Sequence, residues 1–442
     1  MAIQLSDHFT YKRLLRFSLP SIVMMVFTSI YGVVDGFFVS NYVGKTPFAA
    51  VNFIMPFLMI LGAFGFMLGT GGSALVAKTL GQGNNQRAKE LFSLVVYTTA
   101  GLGVAVGLMG IILLPNIAQA LGAREPMLSY CVLYGRLILL ALPFFMLQQV
   151  FQSFFVAAQK PKLGLMSTVI AGVTNMLLDW LFMGVFRWGV AGAALATAFS
   201  QLIGGVFPLC YFGFPNGSLL RLCSTRFYGR ALLQACTNGS SELMSNISMS
   251  LVGMLYNAQL MQYAGENGVA AYGVLMYISF IFIAVFIGFS IGTAPVVGFH
   301  YGADNKGELK SLRQKSLRII GLLSLGMFVL GESLATPLSG LFVGYDAALF
   351  AMTRRGFAIF SFSFLFAGVC IYGSGFFTAL NNGPISATIS FMRTLVFQAG
   401  AILLLPVFFD LDGIWLSIVL AEALATLVTA LFLKAKQKKY GY

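Results

Sequence analysis

Charge is scarce in this chain. Only 9% of its 442 residues are Asp, Glu, Lys or Arg, against about a quarter in a soluble domain. That excludes an ordinary water-exposed globule and points to a bilayer. Histidine is almost missing. His8 and His300 are the two present, and neither has a partner at ligand spacing. Cysteine is sparse as well. Cys131, Cys210, Cys223, Cys236 and Cys370 form no CxxC pair, which argues against a disulfide framework or a metal site. A phosphate-binding loop is absent. Gly44-Lys45-Thr46 would need a glycine five residues before Gly44, and Val39 stands there. No loop is long enough for a nucleotide-binding domain, so active transport would have to run on an ion gradient and needs no cofactor. No cleavable signal is visible, because the first apolar stretch is longer than a signal core.

What is present is hydrophobic length. Apolar residues make up 58% of the chain, in twelve stretches able to cross about 30 Å of hydrocarbon. Their approximate limits are 17–40, 51–77, 91–114, 130–156, 163–185, 189–213, 231–262, 269–298, 317–337, 350–378, 385–408 and 413–433. The expected class is therefore an all-α membrane protein. Basic residues test the count. With the N-terminus inside, most of them fall in inner segments, from Lys12, Arg13 and Arg16 to Lys438 and Lys439. The outer loops hold only Lys45, Arg124 and Arg187. Both termini are thus expected in the cytoplasm and the chain in the plasma membrane. The net charge of +13 is spread over short inner segments. Anionic lipid headgroups fit that pattern, and nucleic acid does not.

The second half of the chain repeats the first. Gly65-Phe66-Met67-Leu68-Gly69-Thr70 returns 223 positions later as Gly288-Phe289-Ser290-Ile291-Gly292-Thr293. Phe154-Phe155-Val156-Ala157-Ala158 returns 222 positions later as Phe376-Phe377-Thr378-Ala379-Leu380. The expected organisation is an N-lobe over 1–213 (spans 1–6), a solvated cytoplasmic linker over 214–230 and a C-lobe over 231–442 (spans 7–12). A central cavity should separate the two pseudo-symmetric lobes, which can rock around it.

Ionisable groups inside spans are functional candidates. Asp35 lies in span 1. Asn175 and Asp179 lie one turn apart on one face of span 5. Both aspartates stand about 9 Å from the outer end of their spans, and Thr197 of span 6 about 12 Å. Three helices therefore bring polar groups to similar depth. The alternative is that each acid caps a helix or pairs with a structural arginine. Glu242 in span 7 lies near mid-bilayer, with Asn246 one turn on, as a site or gate residue. Glu422 in span 12 can be read as structural or functional. Glu332 fits a solvated rim. Arg136, Arg354 and Arg355 would snorkel or pair with these acids. Pro20, fifteen residues before Asp35, frees a backbone carbonyl and permits a bend in span 1, either an entry kink or a moving hinge. The aromatic content of 14% offers surfaces for cations, with Phe144, Phe145, Phe151 and Tyr277 as candidates.

These residues resemble the multidrug and toxic compound extrusion (MATE) transporters over nearly the whole chain. The resemblance rests on Pro20 with Asp35, and on Gly69 to Gly81 followed by Gln82-Gly83-Asn84. It rests equally on Gly292-Thr293-Ala294-Pro295 with Tyr301-Gly302-Ala303, on Asn175 with Asp179, and on Gly192-Ala193-Ala194-Leu195-Ala196-Thr197. Gly239-Ser240-Ser241-Glu242 looks most like the MepA-like branch. The resemblance implies a V-shaped cavity between two six-helix lobes, and no enzymatic activity. It implies export of amphipathic organic cations in exchange for protons or sodium by alternating access. Asp35, Asn175, Asp179 and Thr197 match the family's N-lobe cation site, where sodium could bind, and Glu242 matches the C-lobe acid. Phe362 to Tyr372 lacks the second C-lobe acid of some members, which favours the N-lobe site. A monomer is expected. The alternative function is a flippase for a lipid-linked precursor, and the acidic cavity argues against it. A passive channel would not need paired acids at matched depth.

Overall fold

The computed structural model describes residues 3–344 and 346–442, apart from the Lys45 side chain. Among these residues there are helices and no strands. Nine helices are long and apolar enough to cross a membrane, and the pair Ala347–Ser361 and Phe364–Ala379, bent by 50°, supplies a tenth crossing. Two of the nine are double length. Gly229–Gly302 has 74 residues with a break at Gly265, and Gly383–Tyr440 has 58 with a break at Asp410. Both fold back at the break. Tyr256 stacks on Tyr272 with ring centroids 4.9 Å apart, and Gly413 lies against the Leu405 carbonyl. Dividing each gives the twelve expected spans, here numbered in chain order.

The repeat is visible in the turns. Positive φ angles fall at Gly44 and Gly265, Gly83 and Asp304, Gln159 and Asn381, and Arg187 and Asp410. Members of each pair stand 221 to 223 positions apart, so duplicated turns end duplicated helices. The caps repeat as well. Asn84 Oδ1 accepts from Arg87 N at 3.0 Å, and Asn305 Oδ1 accepts from Glu308 N at 3.1 Å. Each satisfies an orphan donor at a helix start.

In the first half, spans 2, 3, 5 and 6 pack against span 4 (Met127–Ala157), which is extensively buried, and span 1 packs on span 5. The halves meet where span 2 runs along spans 7 and 8, and where span 1 runs along span 8. Glycine makes these seams close. A Cβ on Gly239 would overlap the Met67 carbonyl, and one on Gly292 would lie 2.7 Å from Ser18 Cβ. Small residues let membrane helices approach in this way. Span 1 (Tyr11–Tyr42) is one continuous helix through buried Pro20. Ser18 and Ile22, on either side of the proline, are both pressed onto span 8.

Both termini pack at the same end of the molecule. Leu5 and Phe9 are fully buried, in one cluster with Leu309, Tyr440 and Tyr442. Glu308 accepts from Phe9 N at 2.9 Å and pairs with His8 Nδ1 at 2.6 Å.

The linker is largely exposed but pinned at several points. Leu220 is fully buried. Cys223 N donates to Ser93 Oγ at 3.0 Å, and Tyr228 donates to Glu90 at 2.9 Å beneath the Arg87 guanidinium. Leu220 and the polar groups of Cys223 and Tyr228, set beside the arginines, supply this docking, which a reading by charge alone overlooks.

Candidate functional site

Of the polar residues expected to meet in spans 1, 5 and 6, those of spans 1 and 5 come together. The Asp35 carboxyl lies against the Asp179 carboxyl and the Asn175 amide. Asp179 is fully buried and Asn175 nearly so. The cluster is unusual for what it lacks. Asp35 Oδ1, Asn175 Oδ1, both Asp179 oxygens and Thr197 Oγ1 are buried without a hydrogen-bond partner among the described residues. Gln201 Oε1 shares that condition. Buried polar atoms in folded proteins are nearly always paired, and leaving them unpaired costs about 1–3 kcal/mol each. Orphaned oxygens on two adjoining carboxyls and an amide can take up a proton or a hard cation. Asp179 stands at the junction of the α-helix Pro161–Asp179 with the π-helical turn Trp180–Val185, and such turns recur at functional sites. Gln201 was not anticipated. It lies one turn beyond Thr197 in span 6, and that i,i+4 spacing was the signal available.

Glu242 stands apart from this cluster. It lines a cavity of about 390 Å³ between the halves, together with Phe66, Gln149, Tyr272, Arg393 and Glu422. Asn246 Nδ2 donates to the Glu242 backbone carbonyl at 2.8 Å, so its amide is held by the helix. The cavity wall is mostly apolar, with few charges, as small-molecule sites are. Its aromatic lining is Phe66, Tyr256, Tyr272, Phe280 and Phe360. That corrects the expected set of Phe144, Phe145, Phe151 and Tyr277. Phe151, for example, is locked in a ring cluster with Phe92 and Phe212.

None of Arg136, Arg354 and Arg355 pairs with the acids inside the spans among the described residues. Glu422 is held by Arg393, whose Nε donates to both carboxylate oxygens at 2.9 Å. Arg355 pairs with Asp412, and Arg136 and Arg354 are exposed. Glu332 is exposed, as a rim residue should be, and accepts from Ser361. No cluster of three or more His, Cys, Asp or Glu side chains suited to a metal occurs among the described residues. At the end carrying the termini, Lys12, Arg13 and Arg16 line an open groove.

The family model described as MatE matches residues 20–181 and 243–402, one segment in each half. The chain belongs to the MatE family. It is a multi-pass membrane protein of the multidrug and toxic compound extrusion transporters. It is 25% identical over 422 residues to the multidrug export protein MepA of Staphylococcus saprophyticus, covering 95% of this chain and 93% of that protein. A MATE transporter solved in an outward-facing conformation has a TM-score of 0.93 at 22% identity, covering 99% of this chain and 98% of that one. A MATE crystal structure in complex with MaL6 also has a TM-score of 0.93, at 21% identity and 98% coverage of both chains. At this identity the two structures establish the shared fold.

Proposed function

We propose that this MatE-family protein is a cation-coupled exporter of amphipathic cationic compounds, working by alternating access in the plasma membrane with both termini in the cytoplasm. The observation that carries the reading is the meeting of Asp35, Asn175 and Asp179 with buried oxygens left unpartnered, and Thr197 and Gln201 of span 6, whose side-chain oxygens are unpartnered as well, are assigned to the same site. Two carboxylates in one low-dielectric pocket cannot both stay charged cheaply, so they share a proton or hold a cation between them. Two carboxylates with amide and hydroxyl oxygens also make a donor set that suits sodium. The ion is cargo of the exchange and not a resident cofactor. Export of drugs is supported by the similarity to a protein named as a multidrug exporter.

The two sites divide the work. Span 1 carries Asp35 and is also packed on span 8, with Pro20 between the contact points. Neutralising the Asp35–Asp179 pair removes a repulsion between spans 1 and 5. It favours bending near Pro20, where a backbone hydrogen bond is already missing. That movement is transmitted through the seam to the cavity that holds Glu242. The basic groove of Lys12, Arg13 and Arg16 faces anionic lipid headgroups in this orientation.

Purified protein in proteoliposomes tests the reading. A cationic dye should move against an imposed proton or sodium gradient, each imposed separately. Movement of an anionic lipid-linked sugar, with no dye transport under either gradient, would replace export by flipping.

A further inference from the structure

Arg393 is the one basic side chain in the wall of the central cavity among the described residues. It sits on the π-helical turn Met392–Phe397 of span 11. Its Nε reaches both oxygens of Glu422, and its Nη2 lies 2.9 Å from Oε1. Such forked pairs are strong and directional. Glu422 is 2% exposed, so its charge is fully engaged. Glu242, in the same wall, takes part in none of the ion pairs among the described residues. It is nevertheless close enough to Arg393 for the two to attract.

We infer that the Arg393–Glu422 pair sets the cavity at a net charge of minus one and leaves Glu242 as its single recognition charge, so that the site selects singly charged amphipathic cations over dications, zwitterions and anions. This rests on the reading that the cavity receives the cargo. A monocation beside Glu242 brings the three groups and the ligand to neutrality. A dication leaves one positive charge uncompensated in a mostly apolar wall, which is costly. Glu422 acts as a positioning residue. It keeps the guanidinium off Glu242, and loss of the Glu422 charge turns Arg393 into a competitor for the ligand's place. The pair therefore works as a charge clamp, and the forked geometry makes it a tight one.

The test is equilibrium binding of ethidium, a monocation, and propidium, a dication on the same ring system, to the purified full-length protein by fluorescence. Wild type should bind ethidium about ten-fold or more tightly than propidium, the scale of one unit charge a few ångströms away in a partly polar interior. Glu422→Gln should lower ethidium affinity by a similar factor, to the level of Glu242→Gln. The double variant Arg393→Met/Glu422→Gln removes the competitor and should recover most of that loss, which a merely structural role for Glu422 would not do. A preference of wild type for propidium would overturn the inference without recourse to any variant. So would wild-type ethidium affinity in folded Glu422→Gln, or a folded double variant without recovery. Binding of neither dye by wild type would overturn the cargo reading, and the inference with it.

Discussion

Replacing Gly81 by alanine should loosen the seam between spans 2 and 8. A Cβ there would overlap the Phe299 carbonyl oxygen, 2.8 Å from the carbonyl carbon and 3.0 Å from Ala303 N. Gly302 makes the reciprocal contact on the Lys78 carbonyl, also at 2.8 Å from its carbon. Carbon atoms pack best at about 3.5–4.0 Å, so relieving the contact with the carbonyl carbon alone would part the helices by roughly 0.7–1.2 Å, and the nearer oxygen demands at least as much. The obstacle is backbone, and no rotamer change relieves it. Overpacking of this kind costs about 1–3 kcal/mol. Alanine returns up to about 1 kcal/mol in helix propensity. The clash wins, with a net loss of about 1–2 kcal/mol, or a factor of roughly 5–30 in the closed-seam population. The assay is maleimide labelling of Ala77→Cys, buried beside this seam, in a background without native cysteines, together with a thermal melt. Gly81→Ala should speed labelling and lower Tm. Gly101→Ala is the control. Nothing lies within 4 Å of a Cβ there, so only the propensity gain operates and Tm should hold or rise. Unchanged labelling and unchanged Tm in Gly81→Ala would refute the reasoning.

Two further outcomes follow from the ends of the molecule. Glu308→Gln weakens the hold on His8 and Phe9 and should destabilise the N-terminal docking by about 1–3 kcal/mol, the scale for a buried charged acceptor. A lower melting temperature, with earlier proteolysis of the first ten residues, is the check. Tyr228→Ala removes both the hydrogen bond to Glu90 and the ring beneath Arg87, and should raise the rate of tryptic cleavage at Arg221 and Arg226 several-fold through local opening.

Much of this architecture can be read before any coordinates. Apolar run length gives the spans, and the repeated Gly65–Thr70 segment gives the pseudo-symmetry that reappears in the paired positive-φ turns. The meeting of Asp35 with Asn175 and Asp179 was legible because depth along a span follows from helical rise. What depth cannot give is azimuth. Arg393 and Glu422 lie on different spans, 29 positions apart, and nothing in either local pattern says that they face each other. The π-helical turn at Met392–Phe397 further offsets the face that a regular 3.6-residue period would assign. The same limit hid which aromatics line the cavity. Gln201 was within reach, since it shares a helix face with Thr197. The docked linker was obscured by its arginines, although Leu220, just before the first of them, is the anchor.

The central claim is that Asp35 and Asp179 together hold the coupling ion. Gradient-driven dye efflux by purified Asp35→Asn and Asp179→Asn in proteoliposomes tests it most directly, with wild-type melting curves as the check on folding. The amide keeps the side-chain volume but cannot cycle between charged and neutral forms. The account predicts that each variant retains dye binding in the central cavity, where neither residue lies, and loses efflux under every imposed ion gradient. Efflux at the wild-type rate from both variants would contradict it.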